Sequence, residues 1–131
     1  MGKYVYPAII EHAKDGYNVS FPDLSGCYTC GEDLADAIAM AEDVLALWLF
    51  DLEERNEEVA KPSDPKNIAC GKNEVVTLIC CDTLEYQKMY HTAAVKKTLS
   101  VPGWLNYAAE KANINFSQVL QDALRTTLGV N

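Results

Sequence analysis

Val95-Lys96-Lys97-Thr98-Leu99-Ser100-Val101-Pro102-Gly103-Trp104-Leu105 lies near the end of a 131-residue chain and decides how the rest is read. Val95 to Val101 is a short alternating run, which is the period of a strand. Pro102 then removes a backbone donor and presets φ for a first helical position, so the strand stops and a helix starts. That helix carries Trp104, Leu105, Ala108, Ala109 and Ala112 on one stripe, and Asn113-Ile114-Asn115 breaks it. Asn115 is a good N-cap, with Gln118 three residues on as a capping-box partner. Phe116, Val119, Leu120, Ala123, Leu124, Thr127 and Leu128 follow at the i, i+3, i+4, i+7 spacing, and Gly129 closes the second helix.

A strand and two helices in about 35 residues cannot bury a core alone; units below roughly 40 residues usually need metal, disulfides or a partner. Nothing in this stretch supplies ligands or bridges. The economical solution is a dimer in which two strands pair antiparallel and four helices cover the back of that ribbon. The stretch from Lys96 to Leu105, followed by Ile114-Asn115-Phe116-Ser117-Gln118-Val119-Leu120, resembles the ribbon-helix-helix fold of bacterial repressors. Such β-ribbon readers put their paired strands into the DNA major groove. Alternation turns Val95, Leu99 and Val101 inward and leaves Lys96, Thr98 and Ser100 on the opposite face as base readers. Lys can reach guanine acceptors, while Thr and Ser read either sense and touch the thymine methyl. The bland reading is that these three merely solvate a dimer edge. Lys97 falls at an inward position, which is odd for a core, and is assigned to a backbone phosphate. Asn115, Phe116 and Ser117, at the start of the second helix, would offer backbone amides to phosphate.

Whole-chain charge is −8, which by itself argues against DNA, because nucleic-acid binding wants a basic footprint. Splitting the chain reverses that inference. Residues 1–92 hold 17 acids against 7 Lys/Arg, net −10, and residues 93–131 hold 2 against 4, net +2. The asymmetry implies two jobs, one of them suited to docking a basic partner. Hydrophobic content of 49% says globular rather than disordered. No apolar run approaches the roughly 20 residues of a membrane span, and the start lacks a signal-peptide pattern, so a cytoplasmic protein is expected.

Read from its start, the chain opens with Lys3 to His12, apolar on both strand faces and expected to be well covered. Lys14-Asp15-Gly16 is a hairpin signal, Tyr17 to Phe21 its return strand, and Pro22 to Gly26 a turn. Cys27-Tyr28-Thr29-Cys30 makes a short third strand. Asp33 is an N-cap, with Asp36 in the first turn where a carboxylate suits the helix dipole. Leu34, Ile38, Ala41, Leu45, Trp48 and Leu52 then form one helical stripe to about Glu54. Pro62, Ser63, Pro65 and Gly71 mark residues 56–73 as a loop, and Glu74 to Cys81 is a buried-type strand. Residues 82–94 have no clear period, with at most one or two helical turns between Leu84 and Tyr90. The order β-β-β-α-β, a connector, then β-α-α gives an α+β protein. Its domains are residues 1–82 and 94–131, joined by a connector at 83–93.

The first part carries its own resemblance. Tyr6-Pro7-Ala8-Ile9-Ile10, Gly16-Tyr17, Phe21-Pro22-Asp23-Leu24, Gly26 to Gly31 and Leu34-Ala35-Asp36-Ala37 are similar to the HicB antitoxin domain, and Lys61-Pro62-Ser63-Asp64 to its Pro-Ser loop. The resemblance implies a partial RNase-H-like sheet without the nuclease's catalysis. It also implies an antitoxin that blocks a small HicA-type mRNA-cleaving ribonuclease toxin, represses its own operon at operator DNA, and assembles as a homodimer or tetramer. The toxin would meet the sheet edge and the turns around Tyr17, Phe21, Pro22, Asp23, Tyr28 and Thr29.

Other chemistries have weaker support. Cys27 and Cys30 form a C-x-x-C, with Cys70, Cys80 and Cys81 available as zinc or redox partners. Cys80 and Cys81, adjacent on a strand, point to opposite faces, and free thiols behave as small hydrophobes, so no metal or cofactor is expected. His12 and His91 sit near no nucleophile motif. Metal-dependent nuclease chemistry needs converging carboxylates, which the acidic helix face does not suggest, and no catalytic residue is assigned. An alternative of another class is a free-standing ribbon-helix-helix repressor whose first domain senses a small ligand.

Overall fold

Strand β1 (Lys3–Ala13) is the spine of a four-stranded antiparallel sheet. It pairs with β2 (Gly16–Ser20) over its second half and with β4 (Glu74–Asp82) along nearly its whole length. β3 (Tyr28–Gly31) adds to β2, giving the order β3-β2-β1-β4. The computed structural model describes residues 2–131, and its backbone divides into two units that meet between Ala93 and Ala94.

Period two decides what the sheet buries. Tyr6, Ala8 and Ile10 of β1, Val19 of β2 and Ile79 of β4 share the face covered by helix α1 (Leu34–Glu54). On the opposite face Pro7 is buried, Ile9 half-buried and Val5 exposed, so the cover expected on both faces is partial. Asp33 caps α1 by accepting from the Asp36 N–H at 2.8 Å, and the Asp36 carboxylate accepts from the Glu32 N–H at 2.9 Å.

The buried line of α1 runs Ala37, Ala41, Leu45 and Leu49. Leu34 and Ile38, read from the sequence as core, are exposed. The cause is the close approach at Gly31, where a Cβ would overlap the Ala37 backbone. Only small residues fit where the helix lies that near the sheet, so its stripe is rotated toward the alanines. Gly16, at φ +147°, completes the junction, because a Cβ there would overlap the Gly31 carbonyl.

The loop of residues 56–73 holds one 3-10 turn, Pro65–Asn67. The Tyr6 hydroxyl donates to the Ala60 carbonyl, and both the Ser63 N–H and its hydroxyl donate to the Asp23 carboxylate. After β4, Asp82 caps helix α2 (Thr83–Tyr90) by accepting from the Leu84 N–H at 2.9 Å. This helix occupies most of the expected connector and belongs to the first unit. Phe50 of α1 holds it, with ring centroids 5.4 Å from Tyr86 and 5.0 Å from His91. Eight residues are too few to print a period, and the helix is set by these rings.

In the second unit, α3 (Gly103–Lys111) and α4 (Phe116–Leu128) lie close to their expected spans. Pro102 stands at the N-cap rather than at the first helical position, and its carbonyl accepts the Asn106 N–H at 3.0 Å. Asn115 accepts from the Gln118 N–H at 3.1 Å, while the Gln118 amide turns to Asp122, so the box is closed on one side only. Gly129 takes the left-handed cap at φ 72°. Val95 to Val101 departs from the expected strand: it forms no ladder with any described strand of the chain. A strand is stabilised by its neighbour's amides and carbonyls, and this segment has no such neighbour among the described residues.

Candidate functional site

Of the six side chains expected around the turns of the first unit, the fold presents two and uses four. Tyr28 is 72% exposed on edge strand β3, and Pro22 is exposed beside it in the chain. Phe21 is 2% exposed and belongs to the core, so it supports the turn from behind. The turn itself is tied by hydrogen bonds from Phe21 N–H to the Cys27 carbonyl (3.1 Å) and from Cys27 N–H to the Leu24 carbonyl (3.0 Å). Asp23 is occupied by Ser63. Tyr17 is half-buried and stacks on His12 with centroids 4.8 Å apart, and Thr29 is half-buried on the α1 side of β3. Alternation carries part of this, since Phe21 has the parity of buried Val19, whereas the Asp23–Ser63 bonds span 40 positions and leave no local signal.

In the second unit Lys96, Lys97, Thr98 and Ser100 are all exposed along the extended segment, with no partner among the described residues. The inward set of Val95, Leu99 and Val101 is exposed as well. Asn115 spends its side chain on the cap. The first intrahelical bond of α4 runs from the Val119 N–H to the Asn115 carbonyl, so the amides of Phe116 and Ser117 precede it and point out of the helix end. The apolar stripes of this unit therefore end in solvent: no residue of 94–131 is buried within this chain.

The cysteines are all free thiols. Cys27 is buried, which pushes its thiol up to about 11, while Cys30 is exposed on β3. Cys81 is pushed up to about 12, first by burial and then by the negative surroundings of Cys80, Asp82, Glu53 and Glu42. No group of three or more His, Cys, Asp or Glu among the described residues converges to hold a metal ion. No described helix is long and apolar enough to cross a membrane.

Sequence reasoning missed a groove of about 290 Å³ between α1, the end of β4 and α2, lined by Glu42, Asp43, Glu85, Tyr86, Met89 and Tyr90 among others. Its signal was present: Tyr86 and Tyr90 stand four residues apart, the spacing of one helix face.

The family described as "HicB_like antitoxin of bacterial toxin-antitoxin system" matches residues 6–127. Antitoxin HicB 2 of Photorhabdus laumondii subsp. laumondii is 36% identical over 58 residues, 44% of this chain and 42% of that protein. The chain thus spans less than half the length of the curated relatives it matches. A chain of a toxin–antitoxin complex from Streptococcus pneumoniae is similar in structure, with a TM-score of 0.62 and 26% identity over 95% of this chain and 99% of that one. The HicA3 and HicB3 toxin–antitoxin complex contains a chain of like fold, TM-score 0.52 and 24% identity, over 60% of this chain and 99% of that one. With the profile matching nearly its whole length, and its sheet and helices superposing on a toxin–antitoxin structure, the chain belongs to the HicB-like antitoxin family of bacterial toxin–antitoxin systems.

Proposed function

We propose that this antitoxin neutralises a HicA-type ribonuclease toxin with its first unit and represses its own operon with its second. In this reading the toxin is a small basic protein, drawn to the acidic residues 1–92 and met at exposed Pro22 and Tyr28. The second unit pairs with that of another copy as a ribbon-helix-helix dimer, alone or within a tetramer, and acts in the cytoplasm. Its two Val95 to Val101 segments form an antiparallel ribbon in the DNA major groove. Lys96, Thr98 and Ser100 read bases, and Lys97 with the amides of Asn115, Phe116 and Ser117 holds phosphates.

The observation that carries this reading is the absence of any buried residue in 94–131, although Leu99, Trp104, Leu105, Phe116, Val119 and Leu124 stand at core spacing. Exposed apolar surface of that kind marks an interaction site. On α4, Leu124 is exposed and Leu120 half-buried on the same stripe.

The two jobs separate in one experiment. The full chain and its residues 1–93, which hold their own core, are each co-expressed with the toxin of the same operon and then titrated against operator DNA. Both should rescue growth, and only the full chain should retard DNA. A truncation that still shifts the operator would remove the ribbon as the reader. Failure of folded residues 1–93 to rescue would remove the division of labour.

A further inference from the structure

Helix α2 runs back along α1. Thr83 lies against Glu53, Tyr86 against Phe50, and Tyr90 reaches the wall that carries Glu42 and Asp43. The groove between them opens where α2 ends, at Met89, 75% exposed, and Tyr90, 62% exposed. Along α1 the wall is built by Glu42 and Ala46, one turn apart, with Asp43 beside them. Glu85 is paired with Lys88 at 3.0 Å. Glu42 and Asp43 have no hydrogen bond or ion pair among the described residues.

We propose that this groove docks one or two Lys or Arg side chains from the surface of the basic toxin, an inference that rests on the toxin-binding reading above. Two uncompensated carboxylates beside tyrosine rings and a thioether suit a cation with an aliphatic stem: the stem packs on Met89 and Tyr90 while the head meets Glu42 and Asp43. The same charges repel nucleic acid and anionic lipid. A second copy of this unit, net −10 over residues 1–92, would bring carboxylates against carboxylates. The groove lies at the β4 edge of the sheet and Tyr28 at the β3 edge, so the two are separate contact areas with separable effects.

The test measures binding of the full chain to a catalytically inactive form of its operon's toxin at two salt concentrations. The proteins compared are the unaltered chain, the double variant Glu42→Gln with Asp43→Asn, Tyr90→Ala and Tyr28→Ala. Both acidic side chains are exposed, so the double variant should keep its melting temperature. It should bind about 10-fold to 100-fold more weakly, mostly through a slower association rate and a flattened salt dependence. Tyr90→Ala should weaken binding by a faster dissociation rate. Unchanged affinity in the double variant overturns the proposal. If only Tyr28→Ala weakens binding, the toxin reading stands and the groove proposal falls. A change in oligomeric mass without a change in toxin affinity assigns the groove to a second copy and also overturns it. If the unaltered chain does not bind the toxin, both fall.

Discussion

Cys27 illustrates how one residue links packing to solution behaviour. Its side chain sits in the core under the Phe21 turn, and burial raises its thiol from the ordinary 9.0 to about 11. A group whose folded pKa is raised stabilises the fold below its ordinary value and loses that contribution as pH rises through the folded one. Cys81, raised to about 12, and Tyr4, raised to about 12 by burial and by its hydrogen bond to Glu53, act in the same direction. The melting temperature should therefore fall between about pH 9 and pH 12, with little change from about pH 7 to 8.5 in this set. A flat profile from about pH 9 to 11 would contradict the burial of Cys27. On the proposed operator-binding role, Thr98→Ala should relax operator discrimination by about 1–3 kcal/mol if a base contact is lost. Lys97→Ala should instead weaken specific and non-specific DNA binding together and reduce the salt slope by about one unit. Equal effects of the two variants on specific and non-specific DNA would undo the separation into base and phosphate contacts.

At the scale of elements, the fold of the first unit turns on the glycine junction between β2, β3 and α1. Gly31 allows Ala37 to approach the sheet, and that approach rotates the buried line of α1 onto Ala37, Ala41, Leu45 and Leu49. Gly31→Ala has no relief through a flexible side chain, because the obstructing atoms are backbone. It should cost about 1–3 kcal/mol by overpacking, read as a lower melting temperature. Gly103→Ala, where nothing lies within reach of an added Cβ, is the matched control and should be tolerated. Equal melting of both variants would mean that α1 can lift from the sheet at no cost. Helix α2 depends on a different device, the Asp82 cap and the ring cluster around Phe50.

For the whole molecule, one unit has a core and the other does not. Tyr6, Ile10, Val19, Phe21, Leu45, Leu49 and Ile79 pack together in the first unit, whereas the second leaves Trp104 74% exposed and Leu99 61% exposed. A unit of residues 94–131 is below the size at which one chain usually closes a core. Light scattering of the full chain should give an oligomer at micromolar concentration, and dilution should unfold α3 and α4 as it dissociates. A folded monomer at that concentration would overturn the pairing. Residues 1–93 should melt at the same temperature at any concentration, since their core is complete within one chain.

Much of this protein is written locally. An apolar run marks β1, a turn signal and alternation mark β2, and Asp33, Asn115 and Gly129 mark helix ends by bonds made within three or four residues. The split between an acidic and a mildly basic part is a count that needs no structure. Tertiary structure decided what depends on residues far apart in the chain. Leu34 and Ile38 have the spacing of a core stripe, yet backbone contact at Gly31 turned them out. Phe21 and Asp23 look like surface turn residues, yet one fills the core and the other is taken by Ser63, 40 positions away. Tyr86, Tyr90, Glu42 and Asp43 share a groove only because α2 folds back on α1. Periodicity and caps report what a residue does to its own segment, whereas burial and side-chain partners are settled by the segments that arrive beside it.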